Sequence, residues 1–129
     1  MKFLLDTHIW LWSLLTPERL SDKVQTVLQD SQHLFFLSPI TIWETLILAE
    51  KQRIMLSKPP LEWLHEALGK SLVREAPLTH AIAIKSRTIL LPHEDPADRF
   101  IAATALEYKL ILITEDKYLK QSSHINIFE

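Results

Sequence analysis

The chain has 129 residues, 47% of them hydrophobic, and 14 Lys and Arg against 16 Asp and Glu for a net charge of -2. That length suits a single domain, 1-129, with a real core, and the charge excludes a protein that holds nucleic acid by bulk electrostatics alone. No uninterrupted apolar run exceeds four residues, so a membrane-spanning helix is excluded, and the lack of cysteine excludes disulfides and thiolate metal sites and fits a cytoplasmic protein.

The apolar stretch Phe3-Leu4-Leu5 reads as a first strand and stops at Asp6, too short for a signal-peptide core. A helix is predicted over Thr7 to Leu15, closed by Pro17, and Ser21-Asp22 offers an N-cap for a second with Val24, Val27 and Leu28 on one face. His33 to Leu37 reads as a second strand. Pro39 suits the first turn of a helix running to about Lys51. Pro59-Pro60 precedes a helix through Trp63, Leu64 and Leu68, followed by a short strand near Leu72-Val73-Arg74 and a helix from about Thr79 to Ile89. Pro92-His93-Glu94-Asp95-Pro96 is a loop by turn chemistry. Beyond it lie a helix from Ala97 to about Tyr108, a strand at Leu110 to Thr114, a turn of helix at Lys117 to Lys120, and a final edge strand carrying Ile125, Ile127 and Phe128. Strands alternating with helices predict an α/β fold, a parallel sheet with helices on both faces. The single glycine, Gly69, leaves no glycine-rich phosphate loop or dinucleotide fingerprint.

In an open α/β sheet, sites form outside the carboxyl ends of the strands. Asp6, Glu44, Asp98 and Asp116 each follow a predicted strand or sit near the start of the next helix, so parallel strands bring them together. Singly, each has a structural explanation. Asp6 and Asp116 suit helix caps, Asp98 suits a helix N-terminus, and Glu44 suits a charged position on an amphipathic helix. Together they repel, by about 3 kcal/mol per pair at ~5 Å and an effective dielectric of ~20. A hard divalent cation turns that repulsion into binding, and carboxylates with open water positions suit Mg²⁺ or Mn²⁺ better than Zn²⁺.

Leu4-Leu5-Asp6-Thr7-His8, Trp43-Glu44, the block His93 to Arg99, and Thr114-Glu115-Asp116 resemble the PIN domain, and within it the small bacterial toxins of the VapC type. The resemblance runs from Lys2 to about Phe128 and rests on these motifs in this order. It implies a three-layer fold with a mostly parallel five-stranded sheet ordered 3-2-1-4-5. It also implies a metal-dependent endoribonuclease leaving a 5′-phosphate and a 3′-hydroxyl, a homodimer, and inhibition by a small antitoxin protein. The family's acidic quartet matches Asp6, Glu44, Asp98 and Asp116 as metal-holding, catalytic residues. Thr114 matches a hydroxyl that supports the metal's surroundings, and Asp95 an acid often found beside them in the toxin subgroup.

Such chemistry needs a metal-bound water, a polarised phosphodiester and one carboxylate to accept a proton, and no histidine. Arg99 is the cation placed for substrate phosphate, with an ion pair to Asp95 at i−4 as its structural alternative. Lys51, Arg53, Lys58, Lys85 and Arg87 could guide RNA, although solvated helix ends commonly carry such groups. His8 and His93 flank the motifs and suit loop-orienting hydrogen bonds. Trp10 and Trp12, two apart on a helix, face different ways, so one of them is expected to be exposed as a contact for the antitoxin or a second copy. A phosphatase of the haloacid-dehalogenase type also begins with an Asp after its first strand. It needs a second Asp two residues on, where this chain has His8, and a downstream lysine motif that is not evident. A PIN-like module that only binds is the non-enzymatic alternative.

Overall fold

The computed structural model describes residues 1–92 and 94–129, so the expectation for His93 lies outside the described residues. Strands β1 (Lys2–Leu5), β2 (Leu34–Leu37), β3 (Val73–Glu75) and β4 (Ile111–Ile113) form a parallel sheet in the order β3-β2-β1-β4. Helices α1 (Thr7–Leu15), α2 (Asp22–Gln29), α3 (Pro39–Glu50), α4 (Pro60–Lys70), α5 (His80–Thr88), α6 (Pro96–Tyr108) and α7 (Lys117–Lys120) connect and flank them. Elements foreseen from the periodicity lie within a residue or so of these bounds.

The central strand explains the two-sided core. Side chains along a strand alternate between faces, and β1 is buried on both. Phe3 and Leu5 enter one apolar layer with Trp10, Val24, Phe35 and Trp63. Leu4 points the other way, into a layer with Ile101, Ala102, Leu112 and Leu119. Leu4 and Leu112 are fully buried, and each such burial contributes about 2 kcal/mol. A continuous apolar run with no polar alternation is what a strand covered by helices on both faces requires.

Most helices begin on a side chain that accepts a free backbone N–H. Ser21 accepts from Val24, Ser38 from Ile40, and Thr79 from Ile82. Asp6, Asp95 and Asp116 do the same for α1, α6 and α7. These last three also set up the site.

The expected fifth strand is reduced to one bridge, between Leu112 and Ile127. Leu112 donates its N–H to the Asn126 carbonyl at 2.8 Å and accepts from Phe128 N–H at 2.9 Å. The reason is the shortness of β4. Its end residue Ile113 turns its carbonyl inward, to Asp6 N–H. In a strand of three residues, only the middle one directs both backbone groups to the outer edge.

Candidate active site

Two parallel strands, β1 and β4, run side by side with Leu5 opposite Ile113. The residues just beyond them, Asp6 and Thr114, are therefore neighbours although 108 positions apart. Thr114 Oγ1 donates to Asp6 Oδ2 at 2.6 Å, and the Asp6 Oδ1 atom accepts from Thr7 N–H at 2.8 Å. The same Thr114 hydroxyl oxygen accepts from Asp116 N–H at 3.0 Å. Asp116 Oδ1 then accepts from the N–H groups of Tyr118 and Leu119, at 2.8 and 3.0 Å, at the start of α7. A single hydroxyl thus ties the Asp6 carboxylate to the backbone of Asp116.

Glu44 arrives from α3. Its Oε1 accepts from Thr7 Oγ1 at 2.5 Å, and Thr7 Oγ1 also lies 3.0 Å from Thr41 Oγ1, one turn before Glu44. Asp98 occupies the first turn of α6, whose cap is Asp95. Asp95 Oδ1 accepts from Ala97 and Asp98 N–H, at 2.9 and 3.2 Å. Asp6, His8, Trp12, Glu44, Asp95, Asp98, Glu115 and Asp116 line one open cleft of about 410 Å³. Among the described residues, no three His, Asp or Glu side chains are already gathered tightly enough to enclose an ion. The acids ring the cleft, and its oxygen donors match a hard divalent cation in kind.

Burial and crowding mark two of these acids electrically. Loss of water pushes the Asp6 carboxyl above its usual range, and Asp116 adds to this, against the hydrogen bonds from Thr114 and Thr7 and the nearby His8. Glu44 is also raised, chiefly by burial, with Asp6 and Asp95 adding to the effect and Thr7 and His8 opposing it. Each thus feels other acids of the cleft, as like charges sharing a site do.

The expectation for Arg99 is overturned. Arg99 is buried, with Nε donating to the Ser86 carbonyl at 2.7 Å, Nη2 to Ile89 at 2.7 Å and Nη1 to Leu91 at 3.4 Å. It neutralises carbonyls left over at the C-terminal end of α5 and is not presented to substrate phosphate. Lys58, Lys85 and Arg87 form ion pairs with Glu66, Glu107 and Glu94.

The tryptophans also differ from expectation, since neither Trp10 nor Trp12 is exposed. Trp10 is buried edge-on against Trp63, with ring centroids 5.9 Å apart. Trp12 is half-buried on the wall of the acidic cleft. The exposed one is Trp43, at 53%, beside an apolar groove that Pro39, Ile42, Leu46 and Leu68 also line. Thr7 and Thr41 hold Glu44 in place, a role that the sequence motifs do not assign to them. Their signal is a pair of hydroxyls on otherwise apolar helix faces, Thr41 standing three residues before Glu44.

A parallel sheet with acids gathered at its carboxyl edge defines the class, and the chain belongs to the PIN-domain family, whose sequence profile matches residues 3–124. It is 35% identical over 124 residues to Ribonuclease VapC22 of Mycobacterium tuberculosis (strain ATCC 25618 / H37Rv), covering 94% of this chain and 92% of that one. Its fold is similar to that of VapBC2 from Rickettsia felis bound to a DNA fragment from their promoter, with a TM-score of 0.71 and 14% identity over 99% of this chain and 98% of that one. A toxin–antitoxin complex from Klebsiella pneumoniae is similar at a TM-score of 0.62 and 21% identity, over 95% and 93% of the two chains. Family membership sets aside the haloacid-dehalogenase reading. No helix among the described residues is long and apolar enough to cross a membrane.

Proposed function

We propose that this chain is a metal-dependent endoribonuclease, acting as one domain, and the toxin of a toxin–antitoxin pair in the cytoplasm. One observation carries the reading. Acids from separate segments of a chain 35% identical to a named ribonuclease line a single cleft at the sheet's carboxyl edge.

Asp6, Glu44, Asp98 and Asp116 would hold Mg²⁺ or Mn²⁺. When bound, such an ion polarises the phosphodiester and acidifies a water. The protein's own part is placement and proton handling. Thr114 and the Thr7 N–H fix both oxygens of Asp6, so that carboxylate is a rigid post. Glu44, oriented by Thr7, is the carboxylate suited to accept the proton that the attacking water gives up. Asp95 anchors the first turn of α6 and so presents Asp98 to the cleft.

The partner is an antitoxin protein, as in the solved toxin–antitoxin complexes the fold resembles. The groove beside the exposed Trp43 is the apolar surface this chain offers it. A homodimer is proposed from the family resemblance. The test is cleavage of single-stranded RNA by purified protein with and without Mg²⁺ or Mn²⁺, beside Asp6→Asn. Metal-dependent scission lost in Asp6→Asn is the expected result. RNA left intact by the wild type with either ion would leave a binding module instead.

A further inference from the structure

The acidic cleft poses a problem for its own substrate. Asp6, Glu44, Asp95, Asp98, Glu115 and Asp116 line it, and His8 is the one basic side chain among the described lining residues. A phosphodiester entering this field is repelled wherever an ion does not screen it. Net charge gives no help, at -2 for the whole chain. Affinity for a nucleotide must therefore draw on contacts outside the acidic lining, and base stacking on an aromatic ring is the chief of these.

The cleft wall carries such a ring. His8 and Trp12 stand four residues apart on α1, hence on one face, with ring centroids 5.7 Å apart and a tilt of 54°. Just after α1 the chain makes a short 3₁₀ turn, Pro17–Arg19, held by a hydrogen bond of 2.9 Å from Arg19 N–H to the Thr16 carbonyl. That turn brings the Arg19 guanidinium carbon 4.4 Å from the centre of the Trp12 ring. Among the described residues Arg19 forms no salt bridge, and His8 and Arg19 are both exposed. The result is a strip of histidine, indole and guanidinium leading from the acids out to solvent.

We propose that His8, Trp12 and Arg19 form a nucleotide subsite at the rim of the cleft. One unpaired base of single-stranded RNA stacks on the exposed part of the Trp12–His8 wall. Arg19, prealigned by the indole, donates to the phosphate of that nucleotide, where its planar fork suits phosphate oxygens. The subsite rests on the ribonuclease reading and deepens it, by naming the side chains that hold the nucleotide beside the acids.

Steady-state cleavage of a short single-stranded RNA in Mn²⁺ tests this, comparing wild type with Trp12→Ala, Trp12→Phe and Arg19→Gln. Trp12→Ala should raise KM about tenfold, and Trp12→Phe should recover most of the loss, in keeping with the usual size of base–aromatic stacking. Arg19→Gln should raise KM and flatten its dependence on salt. The second measurement scans one abasic position along the RNA with wild-type protein. One position should raise KM by a similar factor and have no further effect in Trp12→Ala. The scan decides by itself if Trp12→Ala proves poorly folded by thermal melting. An unchanged KM at every abasic position, or a Trp12→Ala effect independent of the abasic site, overturns the subsite while leaving the nuclease reading intact. So does a Trp12→Ala variant that cuts RNA like the wild type and loses only its grip on a protein partner. A wild-type protein that cuts no RNA overturns both readings.

Discussion

Thr7 Oγ1 donates to Glu44 Oε1 at 2.5 Å, joining the first helix to the third across 37 positions of sequence. The same residue donates its backbone N–H to Asp6 Oδ1, the cap of that helix. Thr7 is therefore the hinge between the strand-borne acid and the helix-borne one, and it is buried. Thr7→Val keeps the shape and removes the donor. It should cost about 1–2 kcal/mol of stability, as a half-buried carboxylate loses its partner, and should weaken Mn²⁺ binding. Thr7→Ser should restore both. Calorimetric titration of Mn²⁺ beside thermal melts separates the effects, and a Thr7→Val protein binding metal like the wild type would remove Thr7 from the site.

The raised pKa values of Asp6 and Glu44 make a signed prediction about stability. An acid with a raised folded-state pKa binds more protons folded than unfolded, so its contribution is full below the unfolded pKa and lost as pH rises. Metal-free protein should therefore lose stability from about pH 4, the ordinary carboxylate value, up through the raised pKa values of these two groups. Asp6→Asn should flatten that fall and stabilise the metal-free protein at neutral pH, because the amide keeps the Thr7 contact without the buried charge. RNA cleavage should disappear in the same variant. Denaturant melts in a chelator at several pH values would show it, and an Asp6→Asn protein with the parent's pH slope would contradict it.

Arg99→Met should destabilise by about 2–3 kcal/mol, since three inward carbonyls of residues 86–91 lose their shared donor. Arg99→Lys, with a single ammonium in place of a fork, should recover only part. Cleavage should fall with the folded fraction, apart from any shift at Asp98. The check is unfolding by urea. An Arg99→Met variant of normal stability but with a much higher KM for RNA would return this residue to substrate contact.

Trp43→Ala should weaken binding of the cognate antitoxin by about 2 kcal/mol if this ring is the anchor of the groove. Cleavage by the free protein should stay within about twofold. Titrating the antitoxin while following both binding and RNA scission measures the two effects at once. Unchanged affinity would place the partner on another face.

Much of this protein is legible along the chain because its signals are local. The apolar run Phe3 to Leu5, the cap Ser21 and the first-turn Pro39 each act within a few residues, which is why strand and helix bounds can be read closely from the sequence. The acids Asp6, Glu44, Asp98 and Asp116 were legible too, since parallel strands deliver their carboxyl ends to one edge whatever the loops do. Side-chain direction was not legible. Arg99 stands next to Asp98, yet one step along a helix turns it by about 100°, away from the cleft and onto the end of α5. The spacing of Trp10 and Trp12 predicts one exposed ring, but packing buries Trp10 against Trp63 and lays Trp12 along the cleft. The Thr7–Glu44 and Thr114–Asp6 hydrogen bonds join residues 37 and 108 apart. Such contacts exist only once the sheet order sets which chain ends are neighbours, so the wiring of the site belongs to the tertiary structure.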